Sequence, residues 1–211
     1  MQGHIVAIVR SDLTADDRAE RLARILSLTP YEARQHAMVQ PPRAVASRAT
    51  AGEALELATR LDSEGMFASV FHQHDILGDA RRFLARTLQV RDAGLAGLRK
   101  DGAQGQLAWS NVVAIFVGVR KTLAFVDIID EDGGAFTARE RDTLFDGSGV
   151  PATGGRAGVL ALAQHVRARS NGRFDDRLMK PATIAQVCGP FASSPVADDL
   201  AETILLRAVL T

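Results

Sequence analysis

The first 76 residues contain three short apolar runs, separated by segments whose apolar residues recur at helical spacing. The runs are His4–Val9, Arg43–Ser47 and Phe67–His72, and their β-branched and apolar content favours buried strands. The segments between them predict two helices after the first run and one after the second. The expected order is therefore β-α-α-β-α-β, which is typical of a small α+β domain.

Each predicted helix begins with a threonine that is followed three residues later by an acidic residue. The pairs are Thr14 with Asp17, Thr29 with Glu32, and Thr50 with Glu53. Such a threonine caps the helix because its side-chain oxygen accepts a hydrogen bond from a backbone N–H that has no partner within the helix. Pro30 also occupies a first helical position, where its fixed φ is favourable. Pro41-Pro42 and Gly65 are expected to end the second and third helices.

Apolar residues at helical spacing identify the faces that we expect these helices to bury. The first helix carries Ala15, Ala19, Leu22, Ala23 and Leu26, and the third carries Leu55, Ala58 and Leu61. Both faces are expected to pack on the predicted sheet.

Beyond Gly78–Leu84, which we expect to be a linker, the pattern changes to strands separated by turn signals. The predicted strands are Thr87–Asp92, Leu95–Arg99, Gln106–Val119, Leu123–Ile129 and Phe136–Phe145. An amphipathic helix at Ala157–Arg169 has Val159, Leu162, Ala163 and Val166 on one face. Strands closed by a helix are similar in order to a PH-like barrel. Asn171–Ser193 reads as irregular, and Ser194-Pro195 is expected to cap a last helix that runs to Leu210. The expected domains are thus 1–77 and a β-rich 85–211, and the fold class is α+β.

The N-terminal third resembles the C-terminal domain of the ribosomal stalk protein, whose fold is shared with the ClpS protease adaptor. The resemblance rests on the turn and helix at Leu28–Arg34 and on the helix that follows Thr50, with Gly65 and a final strand after it. The stalk family binds translation factors through its first two helices. Ala19, Ala23, Tyr31 and Arg34 match or flank those binding positions. The resemblance therefore implies a partner-binding surface at these four residues.

This sequence also departs from the stalk family. Ala15, Glu20 and Ala23 stand where the family has basic residues, and Arg34 alone keeps the basic character. The family's dimerising region and alanine-rich hinge are missing. What the resemblance implies is a small adaptor-type domain rather than a ribosomal protein.

Composition narrows the class of protein. Of 211 residues 46% are hydrophobic and 24% are charged, values that favour a folded globular chain. Lys plus Arg and Asp plus Glu both total 25, so there is no overall field that would attract nucleic acid. The longest apolar run, Val112–Val119, is far shorter than the ~18 residues of a membrane span. The single cysteine, Cys188, and a start without signal-peptide features favour a cytoplasmic protein.

A glycine-rich loop at Gly147–Gly158 precedes a predicted helix, where backbone N–H groups can hold an anion. Gly149 and Gly154 have phosphate-loop spacing, but Gly155 and Arg156 replace the required Lys-Ser/Thr. A flexible connector is the favoured interpretation. An anion site made by Gly154, Gly155 and Arg156 is the alternative.

Other residues indicate a metal site or a catalytic site less strongly. His72 and His74 project to one side of a strand end, and His4 lies beside them if the first and last strands pair, but two such histidines specify a metal poorly. Asp130–Gly133 resembles part of a calcium loop, but with Gly133 at the sixth place Ile128 and Arg139 stand at the first and twelfth, where carboxylates are required, so a hairpin tip is favoured. Cys188 has no base nearby in sequence, so a buried thiol is favoured over a nucleophile. We therefore expect no catalytic residue, no metal and no cofactor.

The favoured hypothesis is a non-enzymatic interaction or adaptor protein whose partner is another protein. The alternative is a small anion- or nucleotide-binding protein, or an enzyme, that uses the Gly147–Gly158 loop. A third hypothesis is a self-assembling protein built on the apolar helix at Leu200–Leu210, which leaves a homo-oligomer open. Trp109 is expected to be a core residue, or a docking anchor if it is exposed.

Overall fold

A computed structural model describes residues 3–72, 74, 76, 78–146 and 154–211. The chain divides into two compact units. The terminal unit consists of Met1–Ile76 together with Ala182–Thr211, and the central unit consists of Leu77–Pro181. Helices and several sheets give the mixed α+β class that the sequence predicts.

The described residues form twelve strands and six α-helices. The strands are β1 (His4–Ser11), β2 (Arg43–Arg48), β3 (Met66–Phe71), β4 (Arg82–Leu84), β5 (Thr87–Arg91), β6 (Gly94–Leu98), β7 (Gln104–Ala108), β8 (Val112–Arg120), β9 (Leu123–Asp130), β10 (Ala135–Arg139), β11 (Leu144–Asp146) and β12 (Arg173–Asp175). The helices are α1 (Ala15–Leu26), α2 (Pro30–Met38), α3 (Ala51–Ser63), α4 (Gly155–Arg169), α5 (Pro181–Cys188) and α6 (Ala197–Leu210). The predicted β-α-α-β-α-β order of the first 76 residues is confirmed.

The terminal unit is built on an antiparallel three-stranded sheet in the order β2-β1-β3. Val6 and Ile8 of β1 pack in one cluster with apolar residues of α1, α2 and α3. Ile5 and Ala7, which alternate with them and so face the opposite side, are also buried, and α6 contacts β1. The sheet is therefore covered by helices on both faces, which explains why β1 reads as a continuous apolar run.

The predicted helix caps are present. Thr14 accepts a hydrogen bond from the backbone N–H of Asp17, and Thr29 with Glu32 and Thr50 with Glu53 form reciprocal capping boxes. Each cap stabilises its helix by about 1 kcal/mol. Gly65 follows α3 with φ of 78°, a conformation that glycine adopts without steric cost.

Two of the predicted buried faces differ in detail from the structure. In α3, Leu55 is 58% exposed and Leu57 is buried in its place, because the inward face runs through Ala54, Leu57 and Leu61. In α1, Ala15 is exposed, whereas Arg18 is buried. Apolar spacing alone could not show that an arginine occupies the inward face.

The central unit contains a five-stranded sheet in the order β12-β8-β9-β10-β4 and a four-stranded sheet in the order β11-β5-β6-β7. Its core includes Leu88, Trp109, Ile128 and Phe136. Helix α4 follows β11 and buries Val159, Leu162, Ala163 and Val166, the face that the sequence predicts. The predicted order of strands followed by a helix is confirmed, while the likeness to a PH-like barrel stays a prediction.

Several boundaries of the central unit differ from those expected. The expected linker Gly78–Leu84 includes β4, which pairs in parallel with β10. The expected strand Gln106–Val119 is interrupted at Trp109–Asn111, where the Trp109 indole N–H donates to the Asp92 carbonyl at 2.8 Å. The expected strand Phe136–Phe145 is divided by a turn in which the Asp142 and Thr143 N–H groups donate to the Arg139 carbonyl.

The C-terminal segment differs most from expectation. The stretch read as irregular contains β12 and α5, and the last helix begins at Ala197 after Val196, without a cap from Ser194. Residues from Ala182 onward belong to the terminal unit, not to the β-rich domain. The apolar residues that suggested self-assembly, including Leu200 and Ile204, are buried within the chain. Among the described residues, no helix combines the length and apolarity needed to cross a bilayer.

Candidate functional site

The exposed side of α2 carries an unusual set of large side chains. Tyr31 and Met38 are 71% and 78% exposed, and Arg34 and Gln35 are exposed between them. These positions follow the i, i+3, i+4, i+7 spacing that places residues on one side of a helix. We refer to Tyr31, Arg34, Gln35 and Met38 as the α2 face.

The other side of α2 is fixed to the terminal unit. Ala33 and Ala37 are buried, and the Arg18 guanidinium donates to the carbonyl oxygens of Leu13 at 3.3 Å and Ala37 at 2.5 Å. At the N-terminus, the hydrogen bond from the Thr29 hydroxyl lowers the pKa of Glu32, and its carboxylate also accepts from the Thr29 N–H. The helix is thus held at both ends, so the α2 face is presented by a fixed backbone.

Arg34 carries the free charge of the α2 face. Among the described residues, no carboxylate forms an ion pair with Arg34. The Gln35 amide donates to the Tyr31 hydroxyl at 2.8 Å, which orients the phenol ring. Burial lowers the pKa of His36, and the nearby Arg43 adds to this effect, so His36 is neutral at pH 7. The face therefore offers two apolar contacts around one positive charge.

The four residues that the stalk resemblance singles out do not form one surface. Tyr31 and Arg34 lie on the α2 face, whereas Ala23 of α1 is half-buried. Ala19 is 7% exposed and belongs to the core, so it has no side-chain surface for a partner. Met38 was missed by the sequence analysis, although its spacing of seven residues from Tyr31 could have identified it.

The structure describes only part of the alternative anion site. Residues 147–153 of the Gly147–Gly158 loop lie outside the described part of the chain. Gly155 has φ of 85°, and its N–H donates to the Glu140 carbonyl at 3.2 Å. The Arg156 guanidinium donates to the Thr122 carbonyl at 2.9 Å and lies 3.6 Å from the Glu140 carboxylate. Of the described residues Gly154, Gly155 and Arg156, the last two thus each donate to another part of the protein.

The remaining candidates are three histidines, Cys188 and Trp109. The ring centroids of His4 and His72 are 4.6 Å apart, and those of His72 and His74 are 4.1 Å apart. Among the described residues, no group of three or more His, Cys, Asp or Glu side chains is arranged to hold a metal. Burial raises the pKa of the Cys188 thiol to about 12, and the thiol donates to the Ala197 carbonyl, so it is not a nucleophile at neutral pH. Trp109 is a core residue.

No protein-family model, curated protein or solved structure is significantly similar to the chain. Its function is therefore inferred from its own residues. The resemblance of the N-terminal third to the stalk domain and ClpS stays a prediction.

Proposed function

We propose that this chain is a protein-binding module that holds an amphipathic helix of another protein against the α2 face. The observation that carries the proposal is the exposure of Tyr31 and Met38, two turns apart on one side of α2 with Arg34 between them. Aromatic residues, methionine and arginine are the types enriched in protein interfaces.

The two large side chains of this face offer a partner the free energy of apolar burial. Full burial of a large apolar side chain contributes about 1.5–3 kcal/mol relative to its exposed state. Tyr31 and Met38 are both mostly exposed, so nearly all of that contribution is still available to a partner. Because the α2 backbone is fixed by its caps and by Arg18, little conformational entropy is lost in binding.

The partner is defined by the chemistry of the face. Tyr31 and Met38 are seven residues apart, which corresponds to about 10 Å along the helix axis. A helix with apolar residues at the same spacing matches these two contacts, and an acidic residue between them matches Arg34. The stalk resemblance, which implies binding through the first two helices, supports the same surface.

The edges of the three-stranded sheet are less suited to this role. On β3, the Ala68 N–H already donates to the Asp62 carboxylate at 2.6 Å, and the Arg10 guanidinium covers the Phe67 ring at 4.2 Å. On β2, the segment Gly189–Phe191 contacts the strand. A charged or occupied edge resists pairing with a further strand.

The proposal is tested by site-specific photocrosslinking in the cells that make the protein. A photoreactive phenylalanine analogue at position 31 or 38 is expected to crosslink one partner that the same analogue at Leu55 does not. Leu55 is the matched control because it is 58% exposed on α3, away from the α2 face.

Binding to that purified partner is then measured with variants. Tyr31→Ala and Met38→Ala are each expected to weaken binding about tenfold, which corresponds to about 1.4 kcal/mol. Arg34→Glu is expected to weaken it further, and a Glu→Lys change in the partner helix is expected to restore it. Equal binding by these variants and by Leu55→Ala would contradict the proposal. All four positions are exposed, so the melting temperature is expected to stay unchanged.

A further inference from the structure

The central unit has a pocket of about 420 Å³ whose lining is strongly cationic. Its charged residues are Arg86, Lys100, Arg139, Arg141 and Asp142. Leu84 and Leu144 supply apolar walls. A pocket of this volume is in the range of small-molecule sites, and four cations against one carboxylate are uncommon in a chain whose net charge is zero.

The pocket forms where the chain passes between the two sheets. Residues 85 and 86 connect β4 to β5, and the turn after Arg139 connects β10 to β11. The Thr143 hydroxyl joins the two connections because it donates to the Ala85 carbonyl at 2.6 Å and accepts from the Arg139 N–H at 3.0 Å. The Leu144 N–H donates to the Arg86 carbonyl at 2.8 Å. The backbone that carries Arg86, Arg139 and Arg141 is therefore fixed before any ligand binds.

Three of the four cations are not neutralised by a carboxylate. Arg139 donates to Asp79 at 2.5 Å. Among the described residues, Arg86, Lys100 and Arg141 form no ion pair. Positive charges gathered on one pocket repel one another, and a bound anion would relieve that repulsion.

A second, independent feature also indicates a ligand. Thr137 lies in the pocket lining and is 1% exposed, and its hydroxyl has no hydrogen-bond partner among the described residues. A buried hydroxyl without a partner is unfavourable, and such groups in native proteins need an explanation. An anion oxygen in the pocket would accept the missing hydrogen bond.

We propose that this pocket binds a soluble phosphorylated small molecule with at least two negative charges. Arg86, Lys100 and Arg141 bind the phosphate oxygens, and the Thr137 hydroxyl donates to one of them. Leu84 and Leu144 contact the organic part of the molecule. Guanidinium groups suit this ligand because their parallel N–H donors match the geometry of phosphate oxygens.

The test uses the full-length chain and titration calorimetry with two probes, pyrophosphate and adenosine 5′-triphosphate, at constant ionic strength. Both are expected to bind with a dissociation constant below about 1 mM, a range typical of small-metabolite sites. Lys100→Ala and Arg141→Ala are each expected to weaken binding at least tenfold. The matched control is Arg99→Ala, since Arg99 neighbours Lys100 in sequence but pairs with Asp101 at 3.0 Å and does not line the pocket.

Thr137→Val separates the role of the hydroxyl from general loss of charge. This change keeps the shape of the side chain and removes a hydroxyl without a partner, so the free protein is expected to be at least as stable as the original. Phosphate binding is nevertheless expected to weaken several-fold. A variant that melts at the same temperature and binds less tightly supports the proposal.

Three results would overturn the proposal: failure of both probes to bind, equal binding by Arg99→Ala and Arg141→Ala, or binding to vesicles of anionic lipid without any response to the soluble probes. The α2 face lies in the other unit, so Tyr31→Ala is expected to leave phosphate binding unchanged. The outcome is thus separate from that of the protein-binding proposal.

Discussion

The two units bury their sheets in different ways. In the terminal unit, β1 is buried on both faces, with Val6 and Ile8 toward one set of helices and Ile5 and Ala7 toward the other side. In the central unit, β5 buries Leu88, while its neighbours Thr87 and Gln89 lie on a face that forms a shallow trough. A strand that helices cover on both faces is apolar throughout. A strand with one exposed face alternates between apolar and polar residues.

This difference bears on where each unit can bind. In the described part of the terminal unit, helices cover both faces of the central strand β1, and its candidate docking surface lies on a helix. The central unit retains a polar sheet face and a cationic pocket at the junction of its two sheets. Protein binding and anion binding are therefore proposed for different units because each exposes different chemistry.

Buried arginines also distinguish the two units. Arg18 in the terminal unit bonds only to the carbonyl oxygens of Leu13 and Ala37 among its described contacts, and burial lowers its pKa. Arg82 in the central unit donates to the Asp127 carboxylate at 2.8 Å, and both side chains are almost completely buried. Arg18 is thus a buried charge stabilised by backbone carbonyl dipoles, whereas Arg82 belongs to a buried ion pair.

The largest loss in the free energy of unfolding is expected for Asp127→Ala. Removal of the carboxylate breaks the buried pair and leaves Arg82 with the exposed Asp79 carboxylate at 3.7 Å. Breaking a buried pair lowers the free energy of unfolding by about 3–5 kcal/mol. Urea unfolding followed by the fluorescence of Trp109, the single tryptophan, reports on the central unit directly.

Two further variants serve as controls for that experiment. Arg82→Met with Asp127→Leu removes both charges and is expected to be more stable than Asp127→Ala alone. Arg18→Met removes a charge without leaving an opposite one unpaired, and is expected to cost only about 1–2 kcal/mol in the terminal unit, which far-UV circular dichroism rather than Trp109 fluorescence reports. Equal losses for Asp127→Ala and Arg18→Met would contradict the distinction between the two buried arginines.

Glycine substitutions are expected to change the free energy of unfolding by an intermediate amount. The change is a loss in the central unit and a gain in the terminal unit. A Cβ at Gly105 would lie 2.6 Å from the Phe83 ring, which stacks on Phe136 at 4.7 Å, so Gly105→Ala is expected to cost about 1–3 kcal/mol. A Cβ at Gly52 in the first turn of α3 would meet no atom within 4 Å. Gly52→Ala is therefore expected to stabilise the terminal unit by up to about 1 kcal/mol. Thermal unfolding of both variants checks the signs, and a destabilised Gly52→Ala would contradict the prediction.

The smallest change in the free energy of unfolding is expected from a change of pH. Burial lowers the pKa of His165 from its ordinary 6.5, and the nearby Arg169 adds to this effect. The unfolded chain therefore binds more protons than the folded chain just below pH 6.5, so the free energy of unfolding falls as the pH falls through that window. The His165 ring lies 6.1 Å from Trp109, so fluorescence-detected urea unfolding between about pH 7 and 5 measures this slope. His165→Gln is expected to reduce the slope, and an unchanged slope would exclude His165 as its source.

Local signals made the N-terminal elements predictable, since Thr29 with Glu32 and Thr50 with Glu53 specify helix starts within three residues. Long-range pairing was not predictable in this way. Arg82 and its partner Asp127 are 45 positions apart, so β4 read as a linker.

The candidate sites show the same limit. The stalk resemblance identified Tyr31 and Arg34, which are exposed. It also identified Ala19 and Ala23, and the sequence did not show that these two are buried or half-buried on α1. The cationic residues of the pocket come from separate segments, so no motif marks them in the sequence.

The division of the chain also sets an order for biosynthesis. Every residue of the central unit, Leu77–Pro181, is translated before α6. The terminal unit starts first but lacks its second helical layer until Ala197–Leu210 emerges. Domains fold during synthesis once their residues are available. All residues of the central unit are thus synthesised before the terminal unit is complete, and the second face of β1 stays open to chaperones or aggregation until α6 packs on it.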